Sequence, residues 1–333
     1  MRNISQKAYL VTGCAGFIGY HLVENLLNRG CKVLGVDSMY LSPDLSIKDW
    51  RLSQLEDRSE FVFCRIDFCD VQNFSNLITK ALESIGELDG VIHLGGRAGI
   101  RQSVDRPLDY YESNVLGTLN LLEFCRRYRI EKFVLASSSS LYSGIKTMPL
   151  SEEAITDRPI SPYAASKKAA EELSFSYHYL NGIDITVFRF FSVYGPAGRP
   201  DMSPFKFIQS IIEGFPLTFF GNGAQQRDFT YVTDIVNGIV KGLKPLGYEL
   251  INLGSGKPFS LKDLVCKIEC ITGKSAEVRY SDADHVDAQI THACRKKAYN
   301  TIGWTPQTDL DIGLRSCIEW YYREREWLSR LNI

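Results

Sequence analysis

The chain has 333 residues, and its 38 Lys and Arg side chains nearly balance 39 Asp and Glu side chains, for a formal net charge of −1. This balance lacks the basic excess of most nucleic-acid-binding proteins, so we expect no nucleic-acid partner. No window approaches 18 consecutive apolar residues, and no apolar leader precedes the first glycines, so we expect neither a membrane span nor a secretion signal.

The nine cysteines are odd in number and evenly spread, which does not fit a disulfide framework. None forms a C-x-x-C pair and the histidines do not cluster beside them, so we expect no metal site. Cys266 and Cys270 lie four apart on a predicted helix and are expected to be core residues. Together these features predict a reduced, cytoplasmic protein.

Short β-branched runs alternate with helical patterns through the first half of the chain, which is typical of a parallel sheet with crossover helices. The predicted strands are 8–12, 32–37, 61–67, 90–96, 132–139 and 185–190. The predicted helices are 17–30, 71–85, 108–128 and 162–180. The polar stretch 38–60 predicts a loop with a short helix.

The sequence of the second half predicts a Pro- and Gly-rich loop at 194–204, called the Gly/Pro loop below. It then predicts helices at 205–214 and 260–273 and one more buried strand at 248–254. We therefore predict an α/β fold with a Rossmann-like, doubly wound parallel sheet and a smaller α/β C-terminal lobe. The sheet domain is expected to comprise 1–190, with 230–255 returning to it. The lobe is expected to comprise 191–229 and 256–333.

Three glycines follow the first strand directly and open a helix, with the spacing G-x-x-G-x-x-G: Gly13, Gly16 and Gly19. Such a turn lets a pyrophosphate approach the backbone, and the free N–H groups of the helix favour its negative charge. Asp37 ends the second strand, where a carboxylate accepts hydrogen bonds from the adenosine ribose and repels a 2′-phosphate. This pattern favours NAD, with a plain turn and a solvated Asp as the alternatives.

Tyr163 and Lys167 stand four apart on a predicted helix, on one face. A phenol of pKa ~10 is a poor base at neutral pH, and lowering that pKa by ~3 units requires roughly 4 kcal/mol. A neighbouring ammonium supplies stabilisation of this kind. The pattern arises by chance on many helices, but here it follows a glycine turn and a strand that ends in serines.

Four hydroxyls, Ser137–Ser140, lie at the predicted carboxyl end of a central strand, where α/β sheets bind ligands. One hydroxyl could pass a proton between a sugar hydroxyl and Tyr163. The other hydroxyls are expected to satisfy backbone groups at the strand end.

Several longer motifs occur in order along the chain: LVTGCAGFIG, HLGGRAGIR, ASSSSLY, SPYAASKKAAE, FRFFSVYGPAGRPDM and FGNGAQQRDFTYVTDIV. In these motifs the chain resembles extended short-chain dehydrogenases/reductases of the NAD-dependent sugar epimerase/dehydratase family, and most of all UDP-glucuronate 4-epimerases. The resemblance implies a homodimer that uses helices 108–128 and 162–180, and tightly bound NAD recycled in each turnover. It also implies conversion of UDP-glucuronate to UDP-galacturonate through a transient 4-keto sugar.

The resemblance also implies a role for individual residues. Tyr163 would be the base, Lys167 its partner and Ser138 the hydroxyl relay. The implied NAD contacts are Gly13, Gly16, Phe17, Ile18, Gly19, Asp37, Asp67, Phe68, Leu94, Gly95, Gly96, Ser137, Tyr163 and Lys167. The implied UDP-sugar contacts are Ser138, Ser139, Arg101, Ser192, Arg199, Thr218, Phe220 and Arg227.

Among these residues, Arg227 would bind the phosphates, Thr218 and Phe220 would lie near the uracil, and Ser192 and Arg199 would face the sugar carboxylate. An Arg fork suits a planar carboxylate. The alternative for Arg199 is that it pins its own Gly/Pro loop. The alternative for Asp67, which could meet the adenine amino group, is that it caps a turn.

The chain departs from the family pattern at Gly95 and Gly96, which replace two alanines, at Arg97, and through 281–294. A UDP-sugar decarboxylase or dehydratase, and a 4-epimerase of neutral UDP-hexoses such as UDP-glucose or UDP-N-acetylglucosamine, therefore stay open. A sugar 4,6-dehydratase normally carries an Asp-Glu pair where this chain has Ser139 and Ser140. The last alternative is a non-catalytic regulator that binds NAD or a sugar nucleotide.

Overall fold

The computed structural model describes residues 7–40, 45–282 and 288–331. Twelve strands lie in these ranges: β1 (Ala8–Thr12), β2 (Lys32–Asp37), β3 (Phe61–Arg65), β4 (Gly90–His93), β5 (Lys132–Ser138), β6 (Asp184–Phe190), β7 (Ser192–Tyr194), β8 (Leu217–Phe220), β9 (Gln226–Tyr231), β10 (Tyr248–Leu253), β11 (Pro258–Ser260) and β12 (Val278–Ser281). None of the helices in the same ranges is long and apolar enough to span a membrane.

Seven of these strands form one parallel sheet in the order β10-β6-β5-β4-β1-β2-β3. The order reverses at β1 and β4, which makes the carboxyl edge of these two strands the expected ligand crevice of a doubly wound sheet. The predicted fold class is confirmed. Every predicted strand is present, and those expected at 61–67 and 90–96 end earlier, at residues 65 and 93.

The helices of the described ranges pack on the sheet and build the lobe. They are α1 (Phe17–Asn28), α2 (Leu45–Ser53), α3 (Val71–Ile85), α4 (Ile100–Asp105), α5 (Pro107–Tyr111), α6 (Gly117–Tyr128), α7 (Pro162–Asn181), α8 (Ser203–Glu213), α9 (Val232–Lys241), α10 (Leu261–Thr272), α11 (Lys296–Ile302), α12 (Leu310–Arg323) and α13 (Arg325–Leu328). Two large apolar clusters, one for each face of the sheet, form most of the core, and the larger one extends into the lobe. A third, small cluster surrounds Tyr142 and Phe191.

The single helix predicted at 108–128 is wrong in detail. The segment folds as α5, a π-helical turn at Glu112–Leu116, and α6. π-turns of this kind often occur at functional sites. The buried side chain of Asn114 lies inside the turn and bonds to the loop that follows β4. The irregular geometry thus serves a tertiary contact that local helix propensity does not reveal.

The C-terminal part of the chain adds two small sheets, β11-β9-β7 and the parallel pair β12-β8. Helices α8, α10 and α12 pack together beside them. Cys266 and Cys270 on α10 are exposed, so their predicted place in the core is wrong. Of the altered segment 281–294, residues 283–287 lie outside the described ranges.

Candidate active site

The glycine turn after β1 is built so that no side chain fits into it. A Cβ on Gly13, whose φ is +70°, would lie 2.8 Å from the amide nitrogen of Gly95, and one on Gly19 would lie 2.0 Å from the Gly13 carbonyl oxygen. Helix α1 begins at Phe17, and Gly16 before it offers no side-chain cap. The first N–H groups of α1 are therefore available to an anion, as dinucleotide binding requires.

Asp37 ends β2 beside this turn and is buried. Its carboxylate accepts hydrogen bonds from the backbone N–H groups of Ala15, at 3.2 Å, and Met39, at 2.9 Å. Lys48 of α2 adds an ion pair at 2.8 Å. A carboxylate offers about four lone-pair directions, so one acceptor site remains for a ribose hydroxyl.

The residues that follow β3 and β4 line the same edge of the sheet. Asp67 lies two residues beyond β3 and accepts the N–H of Cys69 at 2.9 Å, which is the turn-capping geometry. Phe68 is buried, and its ring lies edge-on to His93 at 5.1 Å. A Cβ on Gly95 would lie 2.6 Å from the Phe68 ring, so the missing methyl makes room for the phenylalanine.

Gly96 has a φ of +131°, a conformation that other residues rarely adopt. A Cβ there would lie 2.5 Å from the Asn114 amide oxygen and 3.5 Å from the Lys167 ammonium nitrogen. The half-buried Leu94 precedes the glycine pair, and its amide bonds to the Thr12 carbonyl at 3.2 Å. These glycines therefore let the loop after β4 run close to the side chains of the site.

Arg51 of α2 is a buried residue that the sequence reasoning missed, because 38–60 looked irregular. Its guanidinium donates to the carbonyls of Ala15 (3.1 Å), Ala197 (2.7 Å) and Gly198 (3.1 Å). It thereby ties the glycine turn to the Gly/Pro loop. Loop pinning was also the alternative considered for Arg199, and Arg199 does bond within this loop, to Asp201.

Helix α7 presents Tyr163 and Lys167 at its first turns, and both side chains are buried. Ser161 caps the helix by accepting the N–H of Ala164 at 3.2 Å, which fixes where α7 begins. The Lys167 ammonium donates to the Ala136 carbonyl of β5 at 3.0 Å. Burial lowers the pKa of Lys167 to about 8, and the charge of Glu171 acts in the opposite direction.

The phenol of Tyr163 has a pKa raised above its ordinary value by burial, while a hydrogen bond with Ser138 and the charge of Arg199 act to lower it. Arg199 thus contributes a charge that favours the phenolate, and the same role for Lys167 stays a prediction. The ring of Tyr110 lies edge-on to Tyr163 at 6.0 Å. This arrangement gives a buried phenol with a hydroxyl and a guanidinium as neighbours.

The serine run divides between two tasks. Ser138 accepts the N–H of Ser140 at 3.1 Å and donates to the hydroxyl of Ser140 at the same distance. Ser139 begins the 3₁₀ turn that follows and is half-buried. Ser137 instead donates to the Glu171 carboxylate at 2.6 Å. The predicted NAD contact of Ser137 therefore has to compete with a short bond to a charged group.

Beneath these residues lies a buried ion pair that the sequence reasoning also missed. Arg189 of β6 binds Glu171 of α7 through two bonds, of 2.9 Å and 2.6 Å, and each side chain is only 2% exposed. The guanidinium also lies 4.8 Å from the centre of the Tyr142 ring. Because Glu171 is one helical turn after Lys167, the pair fixes the helix that carries the site.

Arg199 lies in the Gly/Pro loop after β7 and binds Asp201 through two bonds of 3.0 Å and 2.6 Å. Burial alone would lower the pKa of Arg199, but attraction to Asp201 outweighs it and the pKa lies above its ordinary value. The pair uses two of the five N–H groups of the guanidinium. Ser192 begins β7 and is half-buried.

The remaining predicted substrate residues lie on the lobe and on α4. Thr218 and Phe220 share the exposed face of β8, while their neighbours on that strand are buried. The Arg101 guanidinium lies 4.0 Å from the centre of the Phe220 ring, which joins α4 to the lobe. Arg227 on β9 donates to the carbonyl of Gln226 at 2.9 Å. The structure thus brings Arg101 and Phe220 together.

Three features of the crevice fit a dinucleotide. They are the glycine turn that excludes side chains, the uncapped start of α1 and the buried carboxylate of Asp37. Ile18, in the first turn of α1, packs against the core. Among the described residues, no group of three or more His, Cys, Asp or Glu side chains could hold a metal ion. The geometry therefore provides a nucleotide crevice beside a phenol, an ammonium and a hydroxyl.

Residues 9–254 match the NAD dependent epimerase/dehydratase family. The chain belongs to this family. A family member from Thermodesulfobacterium geofontis, named UDP-glucuronate 4-epimerase, is 45% identical over 98% of this chain and 99% of its own length. The predicted family is confirmed.

Two solved structures of the family superpose closely on this chain. UDP-glucuronic acid 4-epimerase from Bacillus cereus, in complex with UDP-glucuronic acid and NAD, gives a TM-score of 0.88 at 35% identity, over 95% of this chain and 99% of that one. UDP-glucose 4-epimerase from Thermotoga maritima, with UDP-glucose, gives 0.87 at 27% identity, over 96% and 99%. The fold is therefore shared by epimerases of acidic and of neutral sugars.

Proposed function

We propose that this protein is an NAD-dependent 4-epimerase that interconverts UDP-glucuronate and UDP-galacturonate, an isomerase. The observation that carries the proposal is the placement of Arg199, whose charge acts on the buried phenol of Tyr163. A candidate acid/base and a guanidinium that could bind a carboxylate thus interact electrostatically, which supports placing them in one site. The 45% identity to a UDP-glucuronate 4-epimerase supports the same substrate.

Bound NAD supplies a nicotinamide ring that accepts a hydride and returns it. Tyr163 takes the proton of the C4 hydroxyl as that carbon becomes a ketone and gives it back when the alcohol re-forms. The Ser138 hydroxyl, which donates to Ser140, would turn to hold the same sugar oxygen. With a pKa of about 8, Lys167 stays largely protonated at pH 7. Its charge, together with those of Arg199 and of the oxidised nicotinamide when NAD is bound, would favour the phenolate against the burial that raises the pKa of Tyr163.

The acidic sugar needs a cation beside its carboxylate. Arg199 meets this need because Asp201 occupies one edge of its guanidinium and leaves three N–H groups for a second carboxylate. Ser192 would complete the carboxylate site. Because the carboxylate is β to the transient ketone, it could leave as carbon dioxide. Holding the carboxylate in a fixed orientation would disfavour this loss.

The UDP group is assigned to the lobe. Thr218 and Phe220 offer an exposed surface for the uracil, and Arg227 on β9, the next strand along the chain, offers charge for the phosphates. Arg101 would contact the substrate from the other side. This division matches the proposed domains, 1–190 with 230–255 for NAD and 191–229 with 256–333 for substrate, since β10 joins the seven-stranded sheet.

We also propose a homodimer that forms through α5, the π-turn and α7. These elements expose large apolar side chains at helical spacing, namely Leu108, Tyr111, Leu116, Phe175, Tyr179 and Leu180. Exposed apolar patches of this kind mark protein interfaces. A Tyr179→Glu/Leu180→Glu variant should elute as a monomer in size-exclusion chromatography with light scattering, and an unchanged mass would contradict this interface. We place the protein in the cytoplasm, which suits nine cysteines that form no disulfide.

Incubation with UDP-glucuronate, followed by separation of the nucleotide sugars, tests the activity. UDP-galacturonate is the expected product. A UDP-pentose would instead indicate a decarboxylase, a dehydrated keto sugar would indicate a dehydratase, and turnover of UDP-glucose alone would indicate a neutral-sugar epimerase. Absence of turnover with every UDP-hexose would favour a binding protein.

The role of Arg199 is tested separately with an acidic and a neutral substrate. Arg199→Ala should lower kcat/KM for UDP-glucuronate by about 100-fold, which corresponds to ~2.7 kcal/mol, a typical contribution of a charge-assisted contact. Residual turnover of UDP-glucose should fall less, and only through the contribution of the Arg199 charge to the phenol. Equal loss for both substrates would contradict the assignment.

A further inference from the structure

Two side chains meet across the mouth of the nucleotide crevice. Arg97 follows β4 and Tyr40 follows β2, and the Arg97 guanidinium carbon lies 5.4 Å from the centre of the Tyr40 ring. Strand β1 lies between β4 and β2 in the sheet, and the glycine turn follows β1. A contact between these two loops therefore has to bridge the glycine turn, where a bound pyrophosphate would lie.

The backbone of Arg97 is held firmly in this position. Gly96 precedes it with a φ of +131°, and the buried Asn114 side chain grips the main chain of Arg97 on both sides. The Asn114 amide oxygen accepts the Arg97 N–H at 2.8 Å, and its amide nitrogen donates to the Arg97 carbonyl at 3.0 Å. The direction of the Arg97 side chain is therefore set by buried structure.

The charge around Arg97 is only partly neutralised within the protein. Its guanidinium is 3.2 Å from one carboxylate oxygen of Asp109, and Arg106 is 2.6 Å from the same oxygen. Two cations thus share one anion within this ion-pair cluster, and Asp67 and Glu112 are the further acidic groups that act on Cys69 together with Arg97. The Arg97 side chain is 21% exposed and the Tyr40 residue 59%, so both can reach a ligand in the crevice.

We propose that Arg97 and Tyr40 form a clasp over the pyrophosphate of bound NAD and slow its release. This inference rests on the proposed function, because it assumes that the crevice holds NAD. The guanidinium supplies the charge that two phosphate groups attract, and the aromatic ring steadies the guanidinium by a cation–π contact. An enzyme that regenerates its cofactor in each turnover gains from slow release, since an empty site is inactive.

The test measures dissociation of the cofactor and does not depend on turnover. Protein loaded with NADH is mixed with excess NAD, and the loss of bound-NADH fluorescence is followed by stopped flow. Arg97→Gln should release NADH at least tenfold faster than the parent, which corresponds to ~1.4 kcal/mol. Tyr40→Ala should also release it faster, whereas Tyr40→Phe, which keeps the ring, should resemble the parent.

Arg29→Gln is the matched control, because it removes the same charge from an exposed residue at the opposite end of α1 from the glycine turn. Added salt should speed release from the parent more than from Arg97→Gln, since the clasp is electrostatic. Parental release rates in both Arg97→Gln and Tyr40→Ala would overturn the clasp and leave the proposed function intact. Failure of the parent to bind NAD or NADH would overturn both.

Discussion

Replacing Lys167 by methionine should make the protein more stable at neutral pH. The lysine is buried, and its pKa of about 8 lies below the ordinary 10.5 because the charged form is poorly solvated. At ~1.4 kcal/mol per pKa unit, keeping it charged costs the folded state about 3 kcal/mol at pH 7. Its hydrogen bond to the Ala136 carbonyl stabilises the folded state by about 1 kcal/mol. Lys167→Met should therefore raise the free energy of unfolding by about 2 kcal/mol.

The pH dependence of this gain follows from the two pKa values. Below pH 8 the lysine is charged in both states, so the full cost falls on the folded protein. Between pH 8 and 10.5 the folded lysine loses its proton first, and the cost disappears. The stability advantage of Lys167→Met should accordingly shrink to about zero at pH 10.

Urea unfolding of cofactor-free protein at pH 7 and pH 10 measures both quantities. Lys168→Met is the control, because Lys168 pairs with Glu172 at a more exposed position and should give a small, pH-independent change. A Lys167→Met variant that is less stable than the parent at pH 7, or one whose advantage is the same at both pH values, would refute the reasoning. A gain in stability with loss of activity would show that Lys167 is retained for chemistry.

Three further outcomes are expected. Arg189→Met should lower the free energy of unfolding by about 3–5 kcal/mol, because it leaves the Glu171 carboxylate buried without its partner. Glu171→Leu/Arg189→Met should recover most of this loss, and a double variant as unstable as Arg189→Met would contradict the reasoning. Burial lowers the pKa of His21 to about 4 and that of His93 to about 3, so between pH 6.5 and 4 mainly the unfolded chain binds these protons. The melting temperature should therefore fall as the pH is lowered from 6.5 to 4, and it should fall less steeply in His21→Gln. Gly19→Ala should abolish NAD binding, measured by calorimetry, because its Cβ would meet a backbone oxygen at 2.0 Å; parental affinity would refute the turn geometry.

The parts of the site that the sequence predicted are those encoded in continuous segments. The glycine turn and the Tyr163–Lys167 pair each lie within one element, so spacing alone places them on one turn or one helix face. The sheet was predictable for the same reason, since each buried strand is a short apolar run. Domain bounds and the ligand contacts stay predictions.

The parts that escaped prediction depend on contacts between distant segments. Arg51 bonds to carbonyls 146 and 147 residues away, and Glu171 and Arg189 meet only because β6 lies beside β5 and under α7. No local pattern distinguishes such charges from solvated ones. Helix α12 is a different case, because its buried residues Leu310, Leu314, Cys317, Ile318 and Tyr321 follow helical spacing, and that signal was present in the sequence.

The central claim is that epimerisation proceeds by oxidation and re-reduction at C4 of the sugar. Incubation with UDP-glucuronate deuterated at C4, followed by NMR of the product, tests it most directly. We predict UDP-galacturonate that keeps deuterium at C4, because the hydrogen leaves and returns without entering water. Loss of the label to solvent, or a product other than a 4-epimer, would contradict the claim.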